Sequence, residues 1–190
     1  MLHSRGSTRQ EESYLYTSIV FSRVNLADVT DMYVQEFHEC IEDLLHNEKV
    51  QQLDSFHQHF NTSRLQHSLN VSYYSFLLCK MFRLDYRSAT RAGLLHDLFL
   101  YDWRSSKQQE GNHAKAHPIV ALRTAKEFTE LNLIEEDAIL KHMWPLTLKL
   151  PKYKESYIVT LADKYCATAE MIIGATRILC NNFANIKKKT

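Results

Sequence analysis

Two polar residues interrupt an apolar stretch near the middle of the chain. His96 and Asp97 follow the run Ala-Gly-Leu-Leu and precede the Leu-Phe-Leu of positions 98–100. Burying an imidazole and a carboxylate is costly unless each group finds a polar partner. A divalent metal ion would satisfy both groups at once, because imidazole nitrogen and carboxylate oxygen are common metal ligands. The pair therefore predicts a metal site, provided that other parts of the chain supply more ligands.

Four more residues of the same types lie on the apolar faces of separate predicted helices, where their side chains should point into the core. They are His67, His117, His142 and Asp163. One histidine on an apolar face is usually a hydrogen-bonded core residue, but so many together favour a shared site. Imidazole and carboxylate ligands suit Fe, Mn, Zn, Co or Ni, and all six residues exceed what one tetrahedral ion needs. The set predicts two divalent transition-metal ions that share a carboxylate.

The elements that must position these residues are expected to be helices. The 190 residues include only 4 Gly and 3 Pro, and 45% are hydrophobic, which favours long helices around one core. The spacing of apolar residues predicts helices over about 30–47, 48–56, 63–83, 88–99, 115–131, 135–143 and 154–179. The stretch Asn61-Thr62-Ser63 is the expected cap signal of the third helix, and Ser88 is the expected N-cap of the fourth. Pro118 suits the first turn of the fifth helix.

We expect a single all-α domain, a globular helical bundle over residues 28–180 with a short N-terminal extension. Residues 1–27 form this extension, which is expected to be partly flexible and to contain a strand or an extended arm near residues 14–21. Residues 181–190 are expected to form a polar basic tail, in which Lys187, Lys188 and Lys189 are the only block of charge.

Composition and charge exclude several classes of function. The formal net charge is +1, so we expect neither DNA, RNA nor a membrane as a partner. No run approaches the ~18 apolar residues of a membrane span, and residues 1–9 lack the apolar stretch of a signal peptide. The chain has no CxxC pair, so we expect reduced thiols in a cytoplasmic protein. A homodimer is compatible with these features.

Three short motifs follow one another in a characteristic order. They are Arg64-Leu65-Gln66-His67, Ala92-Gly93-Leu94-Leu95-His96-Asp97 and Leu161-Ala162-Asp163-Lys164. In their order and local context, over roughly residues 48–175, they resemble the HD superfamily of metal-dependent phosphohydrolases. The resemblance implies an HD-type helical domain in which the helices of these motifs surround a metal centre.

The additional histidines extend the resemblance to HD proteins that hold two metal ions. His117-Pro118 and His142 fall where the bacterial symmetrical dinucleoside tetraphosphate hydrolases and the HD-GYP phosphodiesterases have their extra ligands. The resemblance implies that Asp97 bridges to a second ion, which these two histidines hold. The first ion would be held by His67, His96, Asp97 and Asp163. His113 is the rival of His117 as a ligand, and the His-Pro context favours His117.

The function implied by this resemblance is hydrolysis of a phosphate ester or anhydride by a metal-activated water. The expected substrate is a nucleotide or another small phosphorylated metabolite. Besides Asp97, the candidates for a catalytic role are Arg64, Lys164 and Asp102. The candidates for substrate binding are Arg64, Arg104 and Lys107. Plainer alternatives are a salt bridge to a ligand carboxylate for Arg64, a solvated side chain for Lys164 and a loop hydrogen bond for Asp102.

The chain departs from known HD patterns in ways that leave other functions open. Several HD families have Lys or Glu three residues after the Asp of the second motif, where this chain has Leu100. The GYP signature and the paired acidic motif of the (p)ppGpp hydrolases are also missing. Two alternatives are a di-iron oxygenase on the same fold and a regulatory domain that binds metal and nucleotide without catalysis.

Overall fold

The computed structural model describes residues 30–59, 62–102 and 113–187, and in the last helix it describes side chains as far as residue 176. Within these ranges the chain forms α1 (Thr30–Leu45), α2 (Glu48–Gln51), α3 (Arg64–Phe82), α4 (Tyr86–Leu95), α5 (His113–Lys126), α6 (Leu133–Lys141) and α7 (Lys154–Lys187). A 3-10 turn, Gln52–Ser55, and a short antiparallel strand pair, β1 (His57–His59) and β2 (Thr62–Ser63), lie between α2 and α3.

This architecture confirms the prediction of an all-α bundle, to which the two short strands add a small hairpin. The strand or arm expected near residues 14–21 lies outside the described residues. In the part of the chain that the structure describes, no helix combines the length and the apolar character needed to cross a membrane.

Helix α3 runs through the centre of the bundle. Within the predicted cap signal, Ser63 is the residue that caps the start of the helix, by accepting a hydrogen bond from the Gln66 backbone N–H at 3.2 Å. The helix stops at Arg83, whose φ of 57° is left-handed. Between these ends α3 packs against α4 and α7. Phe76 is fully buried, and its ring lies edge-on to Phe37 of α1 with the centroids 5.8 Å apart. Helix α3 is therefore the central helix against which the other helices pack.

Helices α3 and α4 approach each other closely at Gly93. A Cβ atom at this position would lie 2.7 Å from the Ser72 Cα and 3.0 Å from the Ser72 backbone nitrogen. The Ser72 hydroxyl donates a hydrogen bond to the Thr90 carbonyl at 2.7 Å, which ties the same two helices together. Because only glycine permits this separation, the rings of His67 on α3 and His96 after α4 come within 5.4 Å, centroid to centroid.

Helix α4 begins and ends earlier than the sequence predicts. Its N-cap is Asp85 rather than Ser88, because the Asp85 carboxylate accepts hydrogen bonds from the Ser88 N–H at 3.0 Å and the Ser88 hydroxyl at 2.6 Å. The helix ends before His96 rather than near Phe99, because the Phe99 N–H turns back to the Asp97 carbonyl at 2.8 Å. Asp97 therefore lies on a turn, where its side chain is not restricted to one helix face.

Other helices also differ from their predicted bounds. The helix expected over 48–56 is shorter, because α2 ends at Gln51 and a 3-10 turn follows it. Helix α5 begins and ends earlier than the expected 115–131, so Pro118 lies inside it rather than in its first turn. Helix α6 begins at Leu133 because Asn132 and Glu135 cap each other's backbone N–H groups, a capping box that the sequence itself displays. Helix α7 continues to Lys187, so part of the expected polar tail is helical.

The carboxylate of Asp137 joins α6 to α7. It accepts hydrogen bonds from the Lys152 N–H at 2.8 Å and the Ser156 hydroxyl at 2.7 Å, and it pairs with the Lys141 ammonium at 2.5 Å. Burial alone would raise the pKa of this carboxyl, but these contacts outweigh burial and lower the pKa. The junction fixes the helix that ends at His142 against the start of α7.

Replacing Gly93 with Ala should push α3 and α4 apart and destabilise the fold by about 1–3 kcal/mol, the usual cost of overpacking a core. Urea unfolding measures this loss. Gly174→Ala on α7 is the matched control: its neighbours Ile172 and Ile173 are exposed, so alanine there should gain helix propensity without a clash. Equal stability of the two variants would contradict the close approach at Gly93.

Because its folded-state pKa is lowered, the Asp137 carboxylate stabilises the fold above its ordinary pKa of 3.8, and this contribution is lost as the pH falls through the folded-state pKa. Asp137→Asn should cost about 1–3 kcal/mol at neutral pH. It should also flatten the loss of unfolding free energy in acid. Urea unfolding at neutral and acidic pH measures both effects, with the exposed Asp54→Asn as the control. Equal losses in the two variants at neutral pH would refute the role of the junction.

Candidate metal centre

Six side chains from five parts of the fold meet in one buried cluster. They are His67, His96, Asp97, His117, His142 and Asp163, and none is more than 7% exposed. His67 lies in the first turn of α3, the His96–Asp97 pair follows α4, and His142 follows α6. The remaining two lie within α5 and α7. All the residues that the sequence predicts as ligands are therefore brought together.

One half of the cluster lies between α3, α4 and α7. Asp163 Oδ1 is 3.2 Å from His67 Nε2 and 3.8 Å from His96 Nε2. Asp97 Oδ2 is 3.6 Å from His96 Nε2. Ligand atoms that share an ion at about 2.0–2.2 Å lie roughly 3–4.4 Å from one another. The separations in this half are therefore suitable for one ion.

The other half of the cluster lies between α5 and α6. Asp97 Oδ1 is 3.2 Å from His117 Nε2 and 3.5 Å from His142 Nε2, and these two Nε2 atoms are 2.8 Å apart. Asp97 therefore belongs to both halves, with one carboxylate oxygen towards each. His142 also lies within 4.8 Å of ligand atoms of His96 and Asp163, so the two halves adjoin.

Hydrogen bonds fix the orientation of all four imidazole rings. In His96, His117 and His142, Nδ1–H donates to a backbone carbonyl three or four residues earlier, at 2.8–2.9 Å. In His67, Nδ1–H donates to the Glu170 carboxylate at 3.0 Å. With Nδ1 occupied in this way, every Nε2 faces the centre of the cluster, as metal-binding imidazoles do.

The polar atoms of the cluster fit a bound cation. His96 Nε2 and Asp97 Oδ1 are buried without a hydrogen-bond partner, which is costly for polar atoms. The Nε2 atoms of His117 and His142 face each other at 2.8 Å, although each ring already carries a proton on Nδ1. A set of imidazole and carboxylate donors without thiolate suits divalent transition metals. The residues present therefore fit such an ion.

Burial and mutual charge set the protonation of the cluster. Burial lowers the pKa of His96 and, together with the neighbouring imidazoles, lowers the pKa of His142 to about 3. Burial also opposes protonation of His67, but its bonds to carboxylates outweigh this and raise its pKa to about 10. The pKa values of Asp97 and Asp163 are lowered despite burial, because imidazoles surround both carboxyls. The two ionised carboxylates favour a cation.

Comparison with known protein families identifies the family to which this chain belongs. The sequence pattern of the HD domain matches residues 64–168, more than half of the 190 residues. The chain belongs to the HD domain family. No curated protein and no solved structure matches it. HD domains are typically metal-dependent hydrolases that bind divalent metal, which agrees with the buried cluster of His and Asp.

Sequence reasoning does not identify the second layer of polar residues in this HD domain. Besides holding His67, Glu170 accepts a hydrogen bond from the Asn70 amide at 3.1 Å. Gln58 donates to Asp97 Oδ2 at 2.6 Å. Glu170 lies two helical turns after the last predicted ligand, on the same face of α7, so the spacing could have indicated it. Gln58 lies in β1, 39 positions before Asp97, and no sequence signal points to it.

Arg64, which the sequence predicts as a phosphate contact, is 0% exposed, and the contacts that it makes are with the protein itself. Its guanidinium lies over the Phe99 ring, 3.6 Å from the centroid. It donates hydrogen bonds to the Phe99 carbonyl at 2.5 Å and the Tyr101 carbonyl at 3.3 Å, and to the Gln58 side chain at 3.0 Å. Arg64 therefore supports Asp97 through Gln58 and anchors the chain that follows the His-Asp pair.

The other predicted catalytic residues differ in their placement. The Lys164 ammonium donates to Asp163 Oδ2 at 2.6 Å and to the His142 carbonyl at 3.1 Å, because its flexible stem turns back to the cluster. Asp102 is exposed. The substrate-binding candidates Arg104 and Lys107 lie outside the described residues.

The rival histidine, His113, lies at the start of α5 beside the cluster. Its ring stacks on the ring of His117 with the centroids 4.7 Å apart, and its carbonyl holds His117 Nδ1. Within the described ranges, no three-residue ligand group includes His113. The geometry therefore favours His117 as the ligand.

We expect the purified protein to carry transition metal, and Asp97→Ala to remove it, because Asp97 faces both halves of the cluster. His117→Ala should lower the metal content towards one ion per chain and leave the fold intact. Elemental analysis measures the content, and circular dichroism checks the fold. His46→Ala, which alters an exposed histidine, should keep the wild-type content. Full metal content in Asp97→Ala would rule out the proposed ligand role.

Proposed function

We propose that this HD domain is a phosphohydrolase that uses two divalent transition-metal ions to hydrolyse a phosphate ester or anhydride of a nucleotide or another small phosphorylated metabolite. The observation that carries the proposal is the position of Asp97, which directs one carboxylate oxygen to His96 and the other to His117 and His142. A carboxylate shared in this way is typical of two-metal hydrolytic sites.

The protein would hold each ion with residues of one half of the cluster. The first ion would be held by His67, His96, Asp97 and Asp163, and the second by Asp97, His117 and His142. When bound, such ions supply a water of lowered pKa and neutralise charge on phosphoryl oxygens. The protein's own contribution is to orient the ligands through their Nδ1 bonds and to exclude bulk water by burial.

Lys164 is the residue that we propose as the phosphate contact. Its ammonium lies at Asp163 Oδ2, and its side chain is 34% exposed, whereas Asp163 is buried. The lysine therefore extends from the buried cluster to its solvent side. A substrate phosphate that reaches the cluster would meet a cation at its edge, which favours negative charge developing on phosphoryl oxygens.

The segment after the His-Asp pair is the proposed place for further substrate contacts. Arg64 fixes the carbonyls of Phe99 and Tyr101, and this anchors the chain where the segment begins. We propose Asp102, Arg104 and Lys107 as polar residues of this segment that contact the substrate. Leu100 packs against the hydrophobic core, so the substrate contacts are proposed for the residues that follow it.

Phosphate release from a panel of nucleotides and sugar phosphates, with Mn²⁺, Fe²⁺ or Co²⁺ supplied, tests the proposed reaction. We expect hydrolysis that Asp97→Ala abolishes. Oxygen consumption with Fe²⁺ in place of phosphate release would support the di-iron oxygenase, for which the same imidazole and carboxylate ligands are suited. Bound metal with neither activity would support a regulatory domain.

Lys164→Met should lower kcat/KM about 10- to 100-fold, equivalent to ~1.4–2.7 kcal/mol of transition-state stabilisation, because it removes the cation at the edge of the cluster. Its metal content should stay at the wild-type level, since Lys164 is not a ligand. Lys154→Met, at an exposed lysine of the same helix, is the matched control. Unchanged kcat/KM in Lys164→Met would contradict the phosphate contact.

A further inference from the structure

Helix α7 uses one face for the metal centre and leaves much of the opposite face exposed, although the Tyr165 ring on that side lies edge-on to Tyr74 of α3 with the centroids 5.0 Å apart. Asp163, Cys166 and Glu170 point towards the bundle and are buried. On the other side, Leu161 and Tyr165 are 59% and 54% exposed. Large apolar side chains in a row on one exposed helix face indicate a surface for association.

The residues of this exposed face have a regular spacing, and we refer to them as the α7 stripe. Its members are Leu161, Tyr165, Thr168, Ile172 and Ala175, and all of them are exposed. All are apolar except Thr168, whose hydroxyl donates a hydrogen bond to the Lys164 carbonyl at 2.7 Å. The members alternate at intervals of four and three residues, and the sequence continues this spacing with Leu179. Alternating intervals of three and four are the pattern of a helix that packs lengthwise on another helix.

The stripe continues into the part of α7 where side chains no longer reach the core. From residue 171 to residue 176 no side chain is buried, and Met171, Ile172 and Ile173 are each more than half exposed. Between Glu170 and Lys187 the sequence has a single charged residue, Arg177. A helical segment so poor in charge is expected to gain stability from apolar contacts with another element.

The partner that fits this stripe is a long helix with the same spacing. Helix α7 has 34 residues, which corresponds to about 51 Å, whereas α3, with 19 residues, lies in the core. Among the described helices, only α7 itself is both long enough and exposed along one apolar face. The interval from Tyr165 to Thr176 also contains no Lys or Arg, which does not favour an acidic membrane surface.

We propose that the α7 stripe is the interface of a homodimer in which the α7 helices of two copies pack along each other. Such a contact is isologous, because the same stripe is used by both copies. The metal centre lies on the other face of α7, so each copy keeps its own six-residue cluster away from the interface. The proposal is independent of the reaction that the cluster catalyses.

Light scattering coupled to size-exclusion chromatography tests the dimer. The wild-type protein should have twice the chain mass of 22.3 kDa at micromolar concentration. Ile172→Glu should lower the mass to that of one chain, because it buries a carboxylate in the interface. Ile173→Glu is the matched control: the same residue type at the next position, similarly exposed, lies off the stripe and should leave the dimer intact.

Circular dichroism and metal analysis show whether a stripe variant still folds. Circular dichroism and metal content should match the wild type in Ile172→Glu, and Ala175→Glu provides a second stripe variant should the first fail to fold. A monomeric wild-type protein overturns the proposal. This holds even if the stripe is then found to bind another partner, either residues 1–29 of the same chain or vesicles of acidic phospholipid. Equal dissociation of the Ile172→Glu and Ile173→Glu dimers also overturns it, because the stripe would then not define the contact.

Discussion

The burial of four imidazoles and two carboxylates in one cluster is the constraint on which the rest of this structure depends. Three of the rings obtain their Nδ1 acceptor from their own helix, at a carbonyl three or four residues earlier. Their orientation is therefore local, whereas their position depends on how the helices pack. The fourth ring, His67, needs Glu170 from α7, so its orientation also depends on tertiary structure.

Two contacts between helices set the distances between the ligand residues of the cluster. The missing side chain at Gly93 lets α3 and α4 approach until Ser72 is in contact, which brings together the histidines of the first two motifs. The Asp137 carboxylate holds the start of α7 against α6. Asp137 lies outside the cluster, and Gly93 contacts it only through its backbone carbonyl, which accepts the hydrogen bond from His96 Nδ1–H. Each nevertheless helps to set the separation of ligands that lie far apart in the sequence.

The helices and the six clustered residues could be predicted because both depend on periodicity. An inward-facing His or Asp is visible wherever an apolar face is regular, as in α3 and α7. The start of α4 could not be predicted so well, because Asp85 and Ser88 are both good caps and only their mutual hydrogen bonds decide between them. The contacts of Arg64 could not be predicted, since two of its acceptors are backbone carbonyls, which leave no trace in residue types, and the third is the side chain of Gln58, to which no sequence signal points.

The hydrogen bonds around Asp97 form a closed circuit. Phe99 lies two residues after Asp97, and its carbonyl accepts a hydrogen bond from Arg64. Arg64 also donates to Gln58, and Gln58 donates to the Asp97 carboxylate. A side chain held in such a ring has already lost its rotamer freedom when the protein folds. Immobilising a free side chain costs about 0.5–1.5 kcal/mol at the moment of binding. This ring of hydrogen bonds therefore holds Asp97 in place before a metal ion binds. Part of the metal affinity expected at this centre comes from Gln58 of the hairpin and from Arg64, neither of which is among the six ligand residues.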